Sequence, residues 1–238
     1  MKHLNQSVIV GIVLLLVLGG WKLSNARTFQ LFGDLVHRVD TSEKIVALTF
    51  DDGPTPAFTL EVLKVLKEKG VPATFYLNGK DVAVSGASVR AIYADGHEIG
   101  NHSFNHKRLV FMSNEDIRSE VELSEQAIRA AGYTGPLTFR PPHGKKLFYL
   151  PYYLDSRDIT TVMWDVEPEK SDEIGRDAAR MTRFVGQQVR PGSIVLMHVM
   201  YQARGPSRAA LPGVIDELRK QGYRFVTVSE LLRRRQPI

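Results

Sequence analysis

Two adjacent carboxylates, Asp51 and Asp52, stand at the end of an apolar run from Ile45 to Phe50, directly before Gly53-Pro54. Neighbouring side chains on a strand point to opposite faces, so the pair can serve one site only if the backbone turns there. Gly and Pro supply such a turn. A carboxylate at this place could also do no more than cap the helix suggested by Phe58, Val62, Leu63, Val65 and Leu66 behind Pro54 and Pro56. Further along, Asn101-His102-Ser103-Phe104-Asn105-His106 carries two histidines four apart. On a helical turn that spacing puts two imidazoles on one side, where both can hold one metal ion. A carboxylate completes an Asp-His-His set with positions open for water, the arrangement of a catalytic site for zinc or a neighbouring transition metal.

The chain that must position these groups has 238 residues, 43% of them apolar and 24% charged, enough to bury a full core as one domain. Its net charge of +5 suits polyanionic surroundings such as a cell wall or lipid headgroups and is too small to indicate nucleic acid. There is no cysteine, which excludes disulfides and thiolate metal sites. Val8 to Trp21 form an uncharged apolar run between Lys2 and Lys22, an export signal in form. The run is shorter than the roughly 20 apolar residues that span a bilayer comfortably, and Ser24-Asn25-Ala26 offers small residues for cleavage. Equally, it can persist as an anchor that ties the chain to the membrane, Lys2 leaving the amino end inside. Either reading places the rest of the chain outside the cytoplasm, secreted or held at the membrane facing the cell wall. The expected division is a signal or anchor over 1–26, a lead-in segment over 27–43 and a catalytic domain over 44–238, and the expected state is a monomer.

Beyond Ile45, short β-rich apolar runs alternate with stretches of helical period. Strands are predicted over 45–50, 73–77, 97–100, 137–139, 160–164, 193–197 and 225–228, and helices over about 57–69, 86–94, 114–131, 145–155, 173–189, 207–221 and 229–235. About seven β-α units mean an α/β fold with a parallel sheet. The unusual polar residues follow the strand ends: Asp51-Asp52, Asn101-His102, Arg140-Pro141-Pro142-His143-Gly144, Asp165 and His198. In a β/α barrel those ends converge on the face where active sites are built.

The set Thr49-Phe50-Asp51-Asp52-Gly53, His102-Ser103-x-x-His106, Arg140-Pro141-Pro142-x-Gly144 and Leu196-x-His198, in this order, resembles the polysaccharide deacetylase family, the NodB-homology domain of carbohydrate esterase family 4. The likeness covers roughly residues 44–235. It implies a distorted (β/α) barrel that removes acetyl groups from N-acetylated sugars with one divalent metal ion, zinc first, with cobalt, nickel or manganese as alternatives. It further implies that Asp52, His102 and His106 bind the metal, Asp51 is the general base, Arg140 orients that base, and His198 is the general acid. Leu196 lines the acetate pocket on this resemblance, and Pro141, His143 and Trp164 join it in substrate binding.

The chemistry asks for these residue types. An amide is a poor electrophile, so its carbonyl must be polarised and a water activated. The tetrahedral oxyanion needs fixed positive groups, which the metal and a backbone N–H near His143 would supply. A histidine titrating near neutrality can protonate the leaving amine. One region departs from the family: many members carry an Asp-Trp pair where this chain reads Trp164-Asp165-Val166-Glu167-Pro168-Glu169-Lys170. Asp165, Glu167 and Glu169 all remain candidates for the missing carboxylate. His97, five residues before His102, lies off any shared helical face and reads as structural. The expected substrate is an N-acetylglucosamine-containing glycan, cell-wall peptidoglycan first and chitin-like oligomers second. The alternatives are an O-acetyl xylan esterase and a wall-glycan-binding protein without turnover.

Overall fold

Ile45–Asp51 is buried at all seven positions, as a central strand of a parallel sheet covered on both faces must be. The computed structural model describes residues 6–235. Its strands are β1 (Leu35–Val36), β2 (Ile45–Asp51), β3 (Thr74–Leu77), β4 (Glu98–Asn101), β5 (Thr161–Val162), β6 (Ile194–His198) and β7 (Arg224–Val226). Its helices are α1 (Gln6–Ser24), α2 (Pro56–Lys69), α3 (Gly79–Val84), α4 (Gly86–Ala94), α5 (Asn114–Ala130), α6 (Tyr149–Asp155), α7 (Asp172–Gly175), α8 (Ala178–Gln188), α9 (Gly205–Lys220) and α10 (Val228–Leu232).

The strands run parallel in the order β4-β3-β2-β6, with β7 paired to the start of β2. Single bridges lead on from there, from Asn101 to Phe139, Phe139 to Thr161 of β5, and Val166 to Val195 of β6, while β5 also pairs with β1. The fold is thus a distorted (β/α) barrel, regular on the β2 side and reduced to single bridges on the other. Period-two alternation on β2 sorts its side chains. Val46, Leu48 and Phe50 pack outward against Val62 and Leu66 of α2, Val185 of α8 and Leu211 and Val214 of α9. Ile45 and Ala47 face the inner cluster with Tyr76, Trp164 and Leu196. Asp51 keeps the inward parity and reaches the barrel's carboxyl end beside His198, its cross-strand partner.

Four local readings are corrected. Residues 137–139 make only two isolated bridges, both at Phe139, rather than a strand, because Pro136 and Pro141 remove ladder donors on either side. Leu35–Val36, read as lead-in, is a strand on β5. The helix expected from 145 starts only at Tyr149, since Lys145 and Lys146 are extended and hold the incoming arm: Lys146 N donates to Ser24 O at 3.2 Å, its Nζ to Ala26 O, and Lys145 Nζ to Asn25 Oδ1. The helix expected over 173–189 breaks into α7 and α8 where the Asp177 side chain accepts from Arg180 N and caps a new start. The apolar residues of α1 from Val8 to Trp21 are largely exposed. Among the described residues no helix is long and apolar enough to cross a membrane.

Gly100 is required by close approach: a Cβ there would lie 2.3 Å from the Tyr76 ring, which itself packs 4.0 Å under the Arg140 guanidinium. Overpacking of this kind costs about 1–3 kcal/mol. Gly100→Ala is therefore expected to lower the urea midpoint at unchanged m-value and, by moving Tyr76 under Arg140, to reduce activity as well.

Candidate metal and catalytic centre

Asp51 ends β2 and Asp52 turns away from it, with φ +78° and its N–H held by Tyr76 O at 3.1 Å. That turn brings both carboxylates to one site. The two histidines arrive differently from the helical expectation. They lie in a loop after β4 whose Ser103 and His106 have φ of +65° and +57°. Hydrogen bonds force that path: Asn101 Oδ1 accepts from Ser103 N at 2.9 Å and Ser103 Oγ from His106 N at 3.1 Å. The buried Glu120 of α5 clamps the same loop, accepting from Asn105 N at 2.7 Å and Asn105 Nδ2 at 2.8 Å. The spacing of four picked out a pair that the structure does bring together, through a loop geometry rather than a helical turn.

One side-chain donor atom each from Asp52, His102 and His106 lies within 4.8 Å of the other two. His102 Nδ1 donates to Arg140 O at 2.7 Å, which leaves the Nε2 lone pair for the site. Burial lowers the His102 pKa well below the ordinary histidine value, Asp52 opposing it, so the ring is neutral, as a ligand must be. Asn78 Nδ2 donates to Asp52 Oδ1 at 3.3 Å and fixes the carboxylate. One carboxylate oxygen and two imidazole nitrogens fit a divalent ion.

Arg140 is fully buried, yet its donors are used. Nη1 donates to Asp51 Oδ1 at 2.7 Å and Thr49 Oγ1 at 2.9 Å, Nε to Val162 O at 3.3 Å and Nη2 to Met163 O at 3.2 Å. With Oδ1 so held, Asp51 Oδ2 turns toward the site, 3.5 Å from His102 Nε2.

Among the three candidate carboxylates, the structure separates the roles. Glu169 lies 2.5 Å from His198 Nδ1 through Oε2, and its Oε1 accepts from His198 N at 2.9 Å and Ser207 Oγ at 2.5 Å. Asp165 instead binds Ser193 Oγ and Ile194 N, and Glu167 binds Arg27 and Trp164 Nε1. Burial alone would lower the His198 pKa, but the hydrogen bond and charge of Glu169, with Asp51 and Asp52 behind, raise it above the usual value. Burial would likewise raise Glu169, and His198 brings it below the usual carboxyl value.

A cavity of about 280 Å³ is lined by Asp51, Asp52, His102, His106, His198, Leu196, Trp164 and His143, together with Arg27, Glu167 and Arg204. Pro141 is buried outside this lining. His143, at φ +55°, stands edge-on to His106 with ring centres 4.6 Å apart. His97 takes no part: its Nδ1 accepts from Ala73 N at 3.2 Å and burial brings its pKa down to about 4. Glu120, Arg27 and Arg204 carried no motif; Arg27 in particular belongs to the stretch next to the expected cleavage point.

A family profile described as polysaccharide deacetylase matches residues 38–162. A peptidoglycan-N-acetylglucosamine deacetylase of Bacillus cereus is 36% identical over 201 residues, covering 84% of this chain and 94% of that protein. The chain spans 39% of the length of the Listeria monocytogenes peptidoglycan-N-acetylglucosamine deacetylase PgdA, at 33% identity. A crystal structure of a peptidoglycan N-acetylglucosamine deacetylase superposes with a TM-score of 0.78 at 30% identity, covering 83% of this chain and 92% of that one. A Bacillus anthracis pseudoenzyme of carbohydrate esterase family 4 gives a TM-score of 0.77 at 27% identity, covering 87% and 72%. On its matched profile, its relatives and the four motifs that converge on one cavity, the chain belongs to the polysaccharide deacetylase family.

Proposed function

We propose that the protein is a metal-dependent N-deacetylase of N-acetylglucosamine-containing glycans, acting outside the cytoplasm on cell-wall peptidoglycan. The observation that carries this reading is the opposition, across one cavity, of Asp51 beside the Asp52-His102-His106 donors and a His198–Glu169 pair. Asp52, His102 and His106 would hold zinc or another divalent ion, which would supply Lewis acidity to the acetyl carbonyl and to the attacking water. Asp51 Oδ2 takes a proton from the attacking water, while Arg140 fixes Oδ1 and so aims the other oxygen. Leu196 and Trp164 give the acetyl group an apolar wall, and a backbone N–H near His143 would serve the developing oxyanion. His198, with Nδ1 bound to Glu169, presents its Nε2 edge to the cavity and delivers a proton to the departing amine.

The sequence from 44 onward is read as the catalytic domain, with Ser24–Arg27 built into it by Lys145, Lys146 and Glu167. The exposed apolar side chains of α1 suit a lipid surface, which would hold the site near the membrane. A related fold without turnover exists in the Bacillus anthracis pseudoenzyme. Against that alternative here stand the complete metal-donor set and the paired His198.

Zinc-loaded protein is expected to release acetate from peptidoglycan strands and N-acetylglucosamine oligomers. Asp51→Asn should lose about 10²–10⁴-fold in kcat with zinc content unchanged, whereas His106→Ala should lose the zinc itself, read by metal analysis. Retained zinc and full activity in Asp51→Asn would remove that residue from the role of base. Glu169→Gln deletes the charge that raises His198 and leaves the lowering by burial. The basic limb of the kcat/KM profile, where the acid loses its proton, should therefore move to lower pH; an unmoved limb would separate Glu169 from the proton transfer.

A further inference from the structure

The cavity holds two guanidinium groups that the reaction does not use. Arg27, at the end of the docked arm, donates from Nη2 to Glu167 Oε2 at 2.8 Å and lies 4.7 Å from the Trp164 ring centre. Trp164 Nε1 donates to the same oxygen at 2.9 Å, so one carboxylate fixes both side chains as a wall. The remaining N–H groups of Arg27 have no acceptor among the described residues, and its side chain is 36% exposed. Arg204, on the turn Gln202–Arg204, lines the same cavity with its side chain 43% exposed. It comes no nearer than 3.9 Å to Glu169, whose oxygens are already taken by His198 and Ser207.

The charges of the cavity show why this matters. Asp51 is matched by Arg140, Asp52 by the ion it would help to hold, Glu167 by Arg27 and Glu169 by His198. Arg204 is left over, and Arg27 has donors to spare. A neutral sugar uses neither the surplus charge nor a planar fork of donors, whereas a carboxylate uses both.

We propose that Arg27 and Arg204 recognise a carboxylate on the substrate, so that the protein selects N-acetylated glycans whose sugars carry carboxylates over neutral N-acetylglucosamine oligomers. This rests on the deacetylase reading above. It also makes Arg27, which precedes the predicted domain, a specificity-determining residue of the active site. The carboxylate can sit on the sugar itself or on an attached peptide, and the two are separable experimentally.

The test is calorimetric binding by the zinc-loaded full chain in the Asp51→Asn background, so that the acetyl group persists. The probes are peptidoglycan strands, the same strands stripped of peptide but keeping their ether-linked carboxylates, the stripped strands after amidation, and N-acetylglucosamine oligomers of equal length. Tighter binding of the stripped strands than of their amidated form, by about tenfold, is expected and places the recognised group on the sugar. A preference confined to intact strands places it on the peptide. Arg204→Ala should reduce the preference to near unity, and Arg27→Ala should reduce it severalfold, since a merely structural loss would weaken all probes alike. Equal affinities for all four probes, no measurable binding of carboxylated strands, or a preference that survives both substitutions overturns the proposal. Failure of the wild type to release acetate from any glycan strikes the deacetylase reading instead, and the binding ratio is read independently of it.

Discussion

The buried ion pair of Arg140 and Asp51 is the constraint on which the rest of the structure depends. A fully buried guanidinium is costly unless its donors are satisfied, and here each of its three nitrogens is bonded, to Asp51 and Thr49, to Val162 O and to Met163 O. Those acceptors belong to β2 and to the β5 segment, so one side chain ties together two walls of the barrel where the regular ladder has given way to single bridges. Tyr76 covers one face of the guanidinium at 4.0 Å, which in turn explains why position 100 tolerates no side chain. The backbone oxygen of the same arginine accepts from His102. Asp51, the proposed base, and His102, a candidate metal ligand, are thus oriented by opposite ends of a single residue.

The β2 strand shows how much of this was legible in the sequence. An apolar run ending in Asp51-Asp52-Gly53-Pro54 gave the strand, the turn and the site together, because burial on both faces and a sharp turn leave marks on composition. The long helices α2, α5 and α9 likewise lay within a residue or two of their predicted ends. The histidine loop was legible only as a list of ligands. Its path depends on side-chain to backbone bonds from Asn101, Ser103 and Glu120, and such bonds leave no periodicity. The bridges at Phe139 and the two-residue strand β1 fell below what a pattern can reveal, since single pairings are made by tertiary contact rather than by local preference.

The choice among Asp165, Glu167 and Glu169 illustrates the same limit. All three are acidic residues within a few positions, and sequence offers no ground for ranking them. Space does: Asp165 caps the start of β6, Glu167 faces Arg27 and Trp164, and only Glu169 meets His198. The short turn Pro168–Lys170 carries Glu169 across to Ser207 at the start of α9, which donates a further hydrogen bond. Departure from the family's Asp-Trp pattern therefore leaves His198, the proposed acid, with a carboxylate partner, while the wall beside it is built by Trp164 with Arg27.

That substitution has an electrostatic consequence for the reaction. In the bare site His198 is held above its usual pKa by Glu169 first and by Asp51 and Asp52 behind it. A cation held by Asp52 would cancel that residue's share, and the Arg140 partnership screens Asp51. The group that would then continue to favour a protonated His198 is Glu169, its side chain 6% exposed and bonded three times. On the proposed mechanism the cavity keeps His198 as acid on one side and Asp51 as base on the other by giving each its own partner, Glu169 and Arg140, so that neither would have to share its field with a metal.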